Sequence, residues 1–137
     1  MLKPEFMDIL NKYLNLIVIL ISLVTILSGL SQVIMPSFVL ELIGAEISPT
    51  TSHFFAIIGM FMALFGGLML HTLYSTHTTP EAVLWCALQK LGAFVAVTLG
   101  VVNGIFNPLA LGVAIFDLFS GLLFLHFIRK RREQWRS

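Results

Sequence analysis

The chain has 137 residues, of which 58% are hydrophobic and 11% are charged, and its formal net charge is +1. Because soluble domains carry about 25% charged residues and small domains hide only about two thirds of their surface, this composition excludes a water-soluble domain. It also excludes a disordered chain. The near balance of acids and bases does not favour a nucleic-acid partner, and the single cysteine excludes an internal disulfide or a Cys-based metal site within one chain.

Four apolar segments are each about as long as the roughly 20 residues that a helix needs to cross a bilayer. The first contains no charged residue and is much longer than the apolar part of a signal peptide, so we interpret it as a retained helix. The sequence therefore predicts an all-α integral membrane four-helix bundle, formed as a single domain by residues 1–137. The predicted spans are residues 14–35, 54–74, 82–102 and 109–128.

Shorter elements flank these spans. Residues 1–13 have apolar side chains at helical spacing and are predicted to lie along the membrane surface before the first span. Residues 37–43 are predicted to form a short interfacial helix between the first and second spans, ended by Gly44. Polar turns are expected at 48–52 and 76–80.

Orientation follows from the distribution of Lys and Arg, which accumulate on cytoplasmic flanks. Bases precede the first span and are concentrated in the tail, residues 129–137, whereas the loop after the first span contains Glu41 and Glu46 but no base. We therefore expect both termini in the cytoplasm (N-in/C-in). The tail is expected to contact anionic lipid head groups, with Trp135 in the interface; docking of a cytoplasmic protein is the alternative. The bases assigned to this contact are Arg129, Lys130, Arg131 and Arg132.

Small residues spaced four apart indicate close helix packing within a membrane. The pattern predicts packing ridges within the bundle, with a dimer face as the alternative, at Gly59, Ala63 and Gly67 in the second span and Gly92, Ala96 and Gly100 in the third. The first span carries a polar stripe that should face protein or bonded water, because unsatisfied polar groups are costly in hydrocarbon; a polar substrate path is the alternative. Its members are Ser22, Thr25, Ser28 and Gln32.

Lys90 in the third span and Asp117 in the fourth are charged residues inside predicted membrane segments. Such residues are expected to have a partner and to mark a functional site. In an antiparallel hairpin Lys90 lies about four residues, or roughly 6 Å, deeper than Asp117, an offset that the long Lys side chain can cover. One interpretation is therefore a buried ion pair, assisted by Gln89, that fixes the register. The second is a proton relay or a binding site for a ligand head group, and the third is that both side chains extend to opposite interfaces.

His71 and His126 lie at similar depth near the cytoplasmic ends of their spans, where two imidazoles could ligate a haem. His53 and His77 lie where neither can complete such a pair. No hydrolase, protease or phosphate-loop motif occurs, and Cys86 lacks the second cysteine that thiol exchange requires. The cofactor otherwise remains unknown.

The surface element 36–44, the small-residue second span 59–67 and the stretch 116–121 together resemble the small four-helix bacterial membrane proteins of the DoxX-like and related uncharacterised families. The resemblance covers most of the chain at the level of architecture. It implies a bacterial inner (plasma) membrane, although an internal photosynthetic membrane remains open. Some members are linked to quinone or thiol redox complexes, but this chain lacks the paired cysteines of a thiol-oxidising member.

From the sequence we expect a non-catalytic accessory or assembly subunit of a membrane complex. Its partners would be the lipid bilayer and another membrane protein or a second copy of the chain. The competing interpretation is a binder of a lipophilic molecule, such as a quinone or a lipid, at Lys90, Asp117 and Gln89. A haem-bearing electron carrier is the third.

Overall fold

The computed structural model describes residues 3–77 and 79–136, and the side chains of these as far as residue 133. This part of the chain is helical and contains five helices: α1 (Pro4–Ile34), α2 (Pro36–Leu42), α3 (Pro49–Tyr74), α4 (Pro80–Val102) and α5 (Ala110–Arg136). Four of them, α1, α3, α4 and α5, are long and apolar enough to cross a membrane. The predicted all-α class and the four long apolar segments are confirmed.

Proline and capping residues set the helix boundaries. The first four helices each have a proline in the first turn, where the missing N–H would have no partner in any case. Ser48 and Thr51 form a capping box at the start of α3. After α2 the chain turns at Gly44, whose φ of 68° is a left-handed conformation that glycine adopts at little cost.

Two boundaries differ from the sequence prediction. From residue 3 onward, no separate surface helix precedes the first span, because α1 runs without interruption from Pro4. The basic tail is also helical, since α5 continues to Arg136. The physical reason is the same at both places: no Gly or Pro occurs between Glu5 and Ser28 or after Gly121, so nothing stops helix propagation. Met1, Leu2 and Ser137 lie outside the described residues.

The long helices are arranged as two pairs. One pair is α1 with α3 and the other is α4 with α5, and each is closely packed, whereas α3 touches α4 and α1 touches α5 over much shorter stretches. The short helix α2 lies against α1 and α3. The bundle therefore consists of two tight pairs that meet along a limited seam.

The main apolar core lies entirely in one half of the bundle, which we call the terminal half because it contains the start of α1 and the end of α5. All four long helices contribute to this core. The other half, with α2 and the connection 103–109, we call the loop half. The core residues are Leu14, Val18, Ile21, Met69, Val83, Cys86, Ala87, Leu123, Phe124, Phe127 and Ile128.

Glycines allow close contact within the α1–α3 pair. A Cβ on Gly29 would lie within about 3 Å of the backbone of Gly59 and Ala63, and a Cβ on Gly66 would collide with Ile26. The predicted ridge thus passes through Gly66, and Gly67 has no described atom within 4 Å of its Cβ position. Gly66 is seven residues after Gly59 and therefore lies within about 20° of the same helix face, whereas Gly67, eight residues after Gly59, is rotated away by about 80°.

Candidate ligand-binding site between the two helix pairs

Lys90 and Asp117 form an ion pair inside the bundle. The Lys90 Nζ donates a hydrogen bond to Asp117 Oδ1 at 3.1 Å, and the two side chains are only 3% and 7% exposed. The ring of Phe116 lies 5.1 Å from the same nitrogen. This is the geometry that the buried-pair interpretation required, and neither side chain extends to an interface.

The second partner of Lys90 is Thr25, not Gln89. Lys90 Nζ donates to Thr25 Oγ1 at 2.7 Å, and Thr25 in turn donates to the carbonyl of Ile21 at 2.8 Å. The ion pair itself lies within the α4–α5 pair, whereas the bond between Lys90 and Thr25 joins α4 to α1 and so connects the two helix pairs. The sequence indicated Thr25 only as one member of the polar stripe in the first span. Helix packing determines which member of that stripe contacts Lys90.

A cavity lies between the helix pairs on the loop-half side of this ion pair. Its volume is about 340 Å³, and its walls come from all five helices and the α4–α5 connection. Most of the lining is apolar, and the polar exceptions are few. The lining residues are Gln32, Val39, Ile43, Phe55, Ile58, Met62, Gln89, Ala93, Ala96, Val97, Phe106, Ala110, Val113 and Asp117.

Two residues in the wall of this cavity, Gln32 and Asp117, carry hydrogen-bond acceptors without a donor among the described residues. Gln32 donates through Nε2 to the sulfur of Met62 at 3.2 Å, but its buried Oε1 has no partner among the described residues. Asp117 receives Lys90 on one carboxylate oxygen only. A buried acceptor without a donor costs free energy, so both groups favour a bound molecule that donates hydrogen bonds.

The loop end of the cavity is closed by the connection between α4 and α5. Asn107 donates its backbone N–H to the carbonyl of Ile43 at 2.7 Å, and its side-chain Nδ2 to that of Leu42 at 3.0 Å. Phe106 folds over Gly100, where a Cβ would collide with the ring, and forms part of the cavity wall. Gly100 thus allows close packing, as predicted, but its neighbour is the connection that follows α4 and not another helix.

The remaining small and polar residues are placed as follows. Gly59 and Ala63 contact α1, whereas Gly92 has no described atom within 4 Å of its Cβ position and Ala96 lines the cavity. Of the polar stripe, Ser22 and Thr25 are buried and Gln32 is half-buried, but Ser28 is exposed. The intramolecular packing predicted at Gly67 and Gly92 is therefore absent from the described contacts, because both lie on faces turned away from neighbouring helices.

The structure does not bring His71 and His126 together. His126 Nε2 is hydrogen-bonded to Asn11 Oδ1 at 3.0 Å, so this imidazole faces α1. His71 is exposed on α3, which makes no close backbone contact with α5 in the described part of the chain. Within the described residues, no group of three or more His, Cys, Asp and Glu side chains could hold a metal ion.

The four predicted head-group contacts differ in exposure. Arg129 and Arg132 are exposed, whereas Lys130 and Arg131 are half-buried against α1. Cys86 is a free, buried thiol in the core, with Sγ 3.7 Å from the carbonyl of Phe65. The side chain of Trp135 lies outside the described part of the chain.

No protein-family model matches the chain, and no curated protein or solved structure is significantly similar to it. The resemblance to the DoxX-like families stays a prediction. The geometry of the cavity and of the ion pair beside it is what indicates a function.

Proposed function

We propose that this chain is an integral membrane protein that binds a lipophilic molecule, with a hydrogen-bond-donating head group, in the cavity between its two helix pairs. The observation that carries the proposal is the combination of an apolar cavity with the unpartnered Gln32 Oε1 and the half-satisfied Asp117 carboxylate in its wall. A quinol, a long-chain alcohol or a glyceride has this chemistry.

Membrane insertion is supported by the four long apolar helices, whose most apolar stretches have mean hydropathies between 1.7 and 2.4. The N-in/C-in orientation is supported by Lys12 and the α5 bases, which lie at the terminal end, whereas the loop end contains Glu41 and Glu46. In this orientation the cavity lies in the half of the bilayer away from the cytoplasm. The inner membrane of a bacterium is the compartment that we propose.

The size and lining of the cavity fit one small lipophilic molecule. Ligand sites commonly have volumes of about 300 to 1,000 Å³ and are mainly apolar with a few placed polar groups. At about 340 Å³ this cavity lies at the lower end of that range. It therefore fits a head group with a short stretch of chain, and a longer chain would have to continue into the surrounding lipid.

The polar groups determine which head group fits. Lys90 does not line the cavity, and its charge is already paired with Asp117, so it is poorly placed to bind an anion there. The available groups are acceptors, on Asp117 and on Gln32, which lies seven residues beyond Thr25 and thus about 10 Å nearer the loop end. Phenols and alcohols donate a hydrogen bond to such acceptors, whereas ethers of the same size cannot.

The test compares 4-decylphenol with its methyl ether, 4-decylanisole, as ligands of the full chain in a neutral detergent. A ligand that binds only the folded protein raises its melting temperature in a concentration-dependent way. We expect the phenol to raise it by several degrees and the ether to have at least about tenfold lower affinity, because one buried hydrogen bond is lost. Equal stabilisation by both compounds would contradict the proposed head-group chemistry.

Two variants locate the binding. Ala96→Phe places a ring in the cavity and should abolish stabilisation by the phenol. Val95→Phe is the matched control, because Val95 is 52% exposed on the adjacent face of α4 and does not line the cavity. Gln32→Leu should weaken binding of the phenol without affecting the ether. Unchanged phenol binding to folded Ala96→Phe would show that the cavity is not the site.

A second candidate is the accessory or assembly subunit expected from the sequence. It is favoured by Gly67 and Gly92, whose Cβ positions are open and which leave room for a helix of a second protein on the lipid-facing surface. Gly92→Leu should then disrupt a complex isolated in mild detergent while leaving phenol binding intact. Native mass spectrometry of the extracted protein measures protein partners and retained small molecules together.

A further inference from the structure

A second pocket lies at the opposite end of the bundle, where the start of α1 meets the end of α5. It has a volume of about 130 Å³, and its lining is mainly polar, with Leu14 and Phe127 at its apolar side. The polar lining residues are Asn11, Lys12, Asn15, Lys130 and Arg131. This pocket shares no residue with the cavity beside the ion pair.

Three cations converge on this pocket without an acidic partner. Lys12 comes from α1, and Lys130 and Arg131 come from α5. Among the described side chains, the only ion pair is Lys90 with Asp117, so no carboxylate neutralises the three charges. Like charges that gather at one point repel each other, and an anion between them relieves that repulsion.

The neutral side chains of the pocket are oriented to donate hydrogen bonds. The amide oxygen of Asn11 is bonded to His126, and that of Asn15 accepts a hydrogen bond from Arg131 at 3.3 Å. With each oxygen occupied, the free end of each amide is its NH₂ group, which is a donor only. Lys130 makes only a long 3.4 Å bond to the carbonyl of Asn11 and so keeps donors available.

We propose that this pocket binds a phosphate group, as a phospholipid head group or as free phosphate. Guanidinium, ammonium and amide donors together match the several acceptor oxygens of a phosphate, and charge-assisted bonds to it are strong. A cavity of about 150 Å³ holds one benzene molecule. A pocket of about 130 Å³ therefore accommodates one phosphate group but not the acyl chains of a phospholipid. Basic pockets between helices at the cytoplasmic side are typical sites for phospholipid head groups.

This site divides the basic tail into two functional parts. Lys130 and Arg131 line the pocket, whereas Arg129 and Arg132 are exposed outside it. A tail that merely attracts an anionic surface would use all four bases alike, because diffuse attraction depends on the number of charges. Binding at a pocket depends instead on which two of the four bases are replaced.

The test uses this difference. Lys130→Gln/Arg131→Gln removes two charges from the pocket, and Arg129→Gln/Arg132→Gln removes the same charge outside it. The full chain, in a neutral detergent at ~150 mM salt, is titrated with dioctanoyl phosphatidic acid, and binding is followed by native mass spectrometry. We expect the pocket variant to bind at least about tenfold more weakly and the control within about threefold, because the exposed charges outside the pocket make no direct bond to the ligand and are screened by water and salt.

Two further measurements complete the test. Lys12→Gln, which changes an exposed residue of the other helix, should also weaken binding, and circular dichroism with gel filtration verifies that each variant is folded. Competition by inorganic phosphate shows that the phosphate group alone suffices, whereas selective lipid binding without competition restricts the site to a head group. Equal losses in the two double variants would overturn the proposal, and so would equally tight binding of dioctanoylglycerol, which lacks the phosphate group of dioctanoyl phosphatidic acid.

Discussion

The terminal and loop halves of the bundle are built from the same kinds of helices but packed differently. In the terminal half, all four long helices contribute to one core, and side chains such as Phe127 and Met69 are about 1% exposed. In the loop half, the pairs α1–α3 and α4–α5 remain intact but separate from each other around a cavity of about 340 Å³.

The ion pair lies between these two regions. Through Thr25 and Asp117, Lys90 connects α1, α4 and α5 at the level where the core ends and the cavity begins. The two halves therefore differ in role: the closely packed terminal half stabilises the fold, and the loop half has room for a ligand. Substitutions in the two halves should therefore differ in how much stability they cost.

The largest effect is expected from removing one partner of the ion pair. Lys90→Met leaves the Asp117 carboxylate buried without a cation and also removes the bond to Thr25, so we expect a loss of about 3 kcal/mol or more in the free energy of unfolding. Unfolding by a denaturing detergent, followed by circular dichroism, measures it. The double variant Lys90→Met/Asp117→Leu should recover most of the loss, and a double variant as unstable as the single one would contradict this account.

An intermediate effect is expected from truncating core aromatics. Phe124→Ala, in the terminal core at 2% exposure, should destabilise the protein by about 3 kcal/mol, because the surrounding side chains cannot fill the space. Phe55→Ala should cost less than half as much, since Phe55 already borders a cavity. Phe119, which is 52% exposed, provides the control and should tolerate the change within about 0.5 kcal/mol. The same unfolding assay compares the three, and similar losses at Phe124 and Phe55 would remove the distinction between the halves.

The smallest effect is expected at the closure of the loop half. Asn107→Ala removes two side-chain hydrogen bonds, from Nδ2 to the carbonyl of Leu42 and from the N–H of Leu109 to Oδ1, but keeps the backbone bond to Ile43. Because both lost bonds are exposed, the loss should be about 1 kcal/mol. Hydrogen exchange should become faster in α2 and in residues 103–109, with no change in the terminal core. Faster exchange throughout the chain would show instead that the closure stabilises the whole bundle.

Much of the architecture could be predicted from the sequence because it depends on local patterns. Uninterrupted apolar runs predicted the four long helices, and the stretch after Pro36 predicted α2. The boundary errors at residues 1–13 and at the tail arose because hydropathy detects where a membrane segment ends, whereas a helix continues until a residue interrupts it.

The candidate site could be predicted only in part. Lys90 and Asp117 were identifiable because charged residues are rare and costly within apolar segments. Thr25 and Gln32 appeared only as members of a polar stripe, and Phe106 and Asn107 gave no functional signal. The roles of these residues depend on contacts between elements far apart in the chain.

The sequence by itself determined that the chain forms apolar helices of membrane-spanning length, and that a Lys and an Asp occur in two of them within roughly 6 Å of the same depth, because composition and spacing are properties of the chain alone. Only the tertiary structure decided that Gly66 and not Gly67 meets α1, that Thr25 and not Gln89 completes the ion pair, and that the pairs separate to leave a cavity. These outcomes depend on the rotation and separation of helices, where one residue corresponds to about 100° of helical phase. Steric fit between distant segments sets those quantities, and no local pattern in the sequence encodes them.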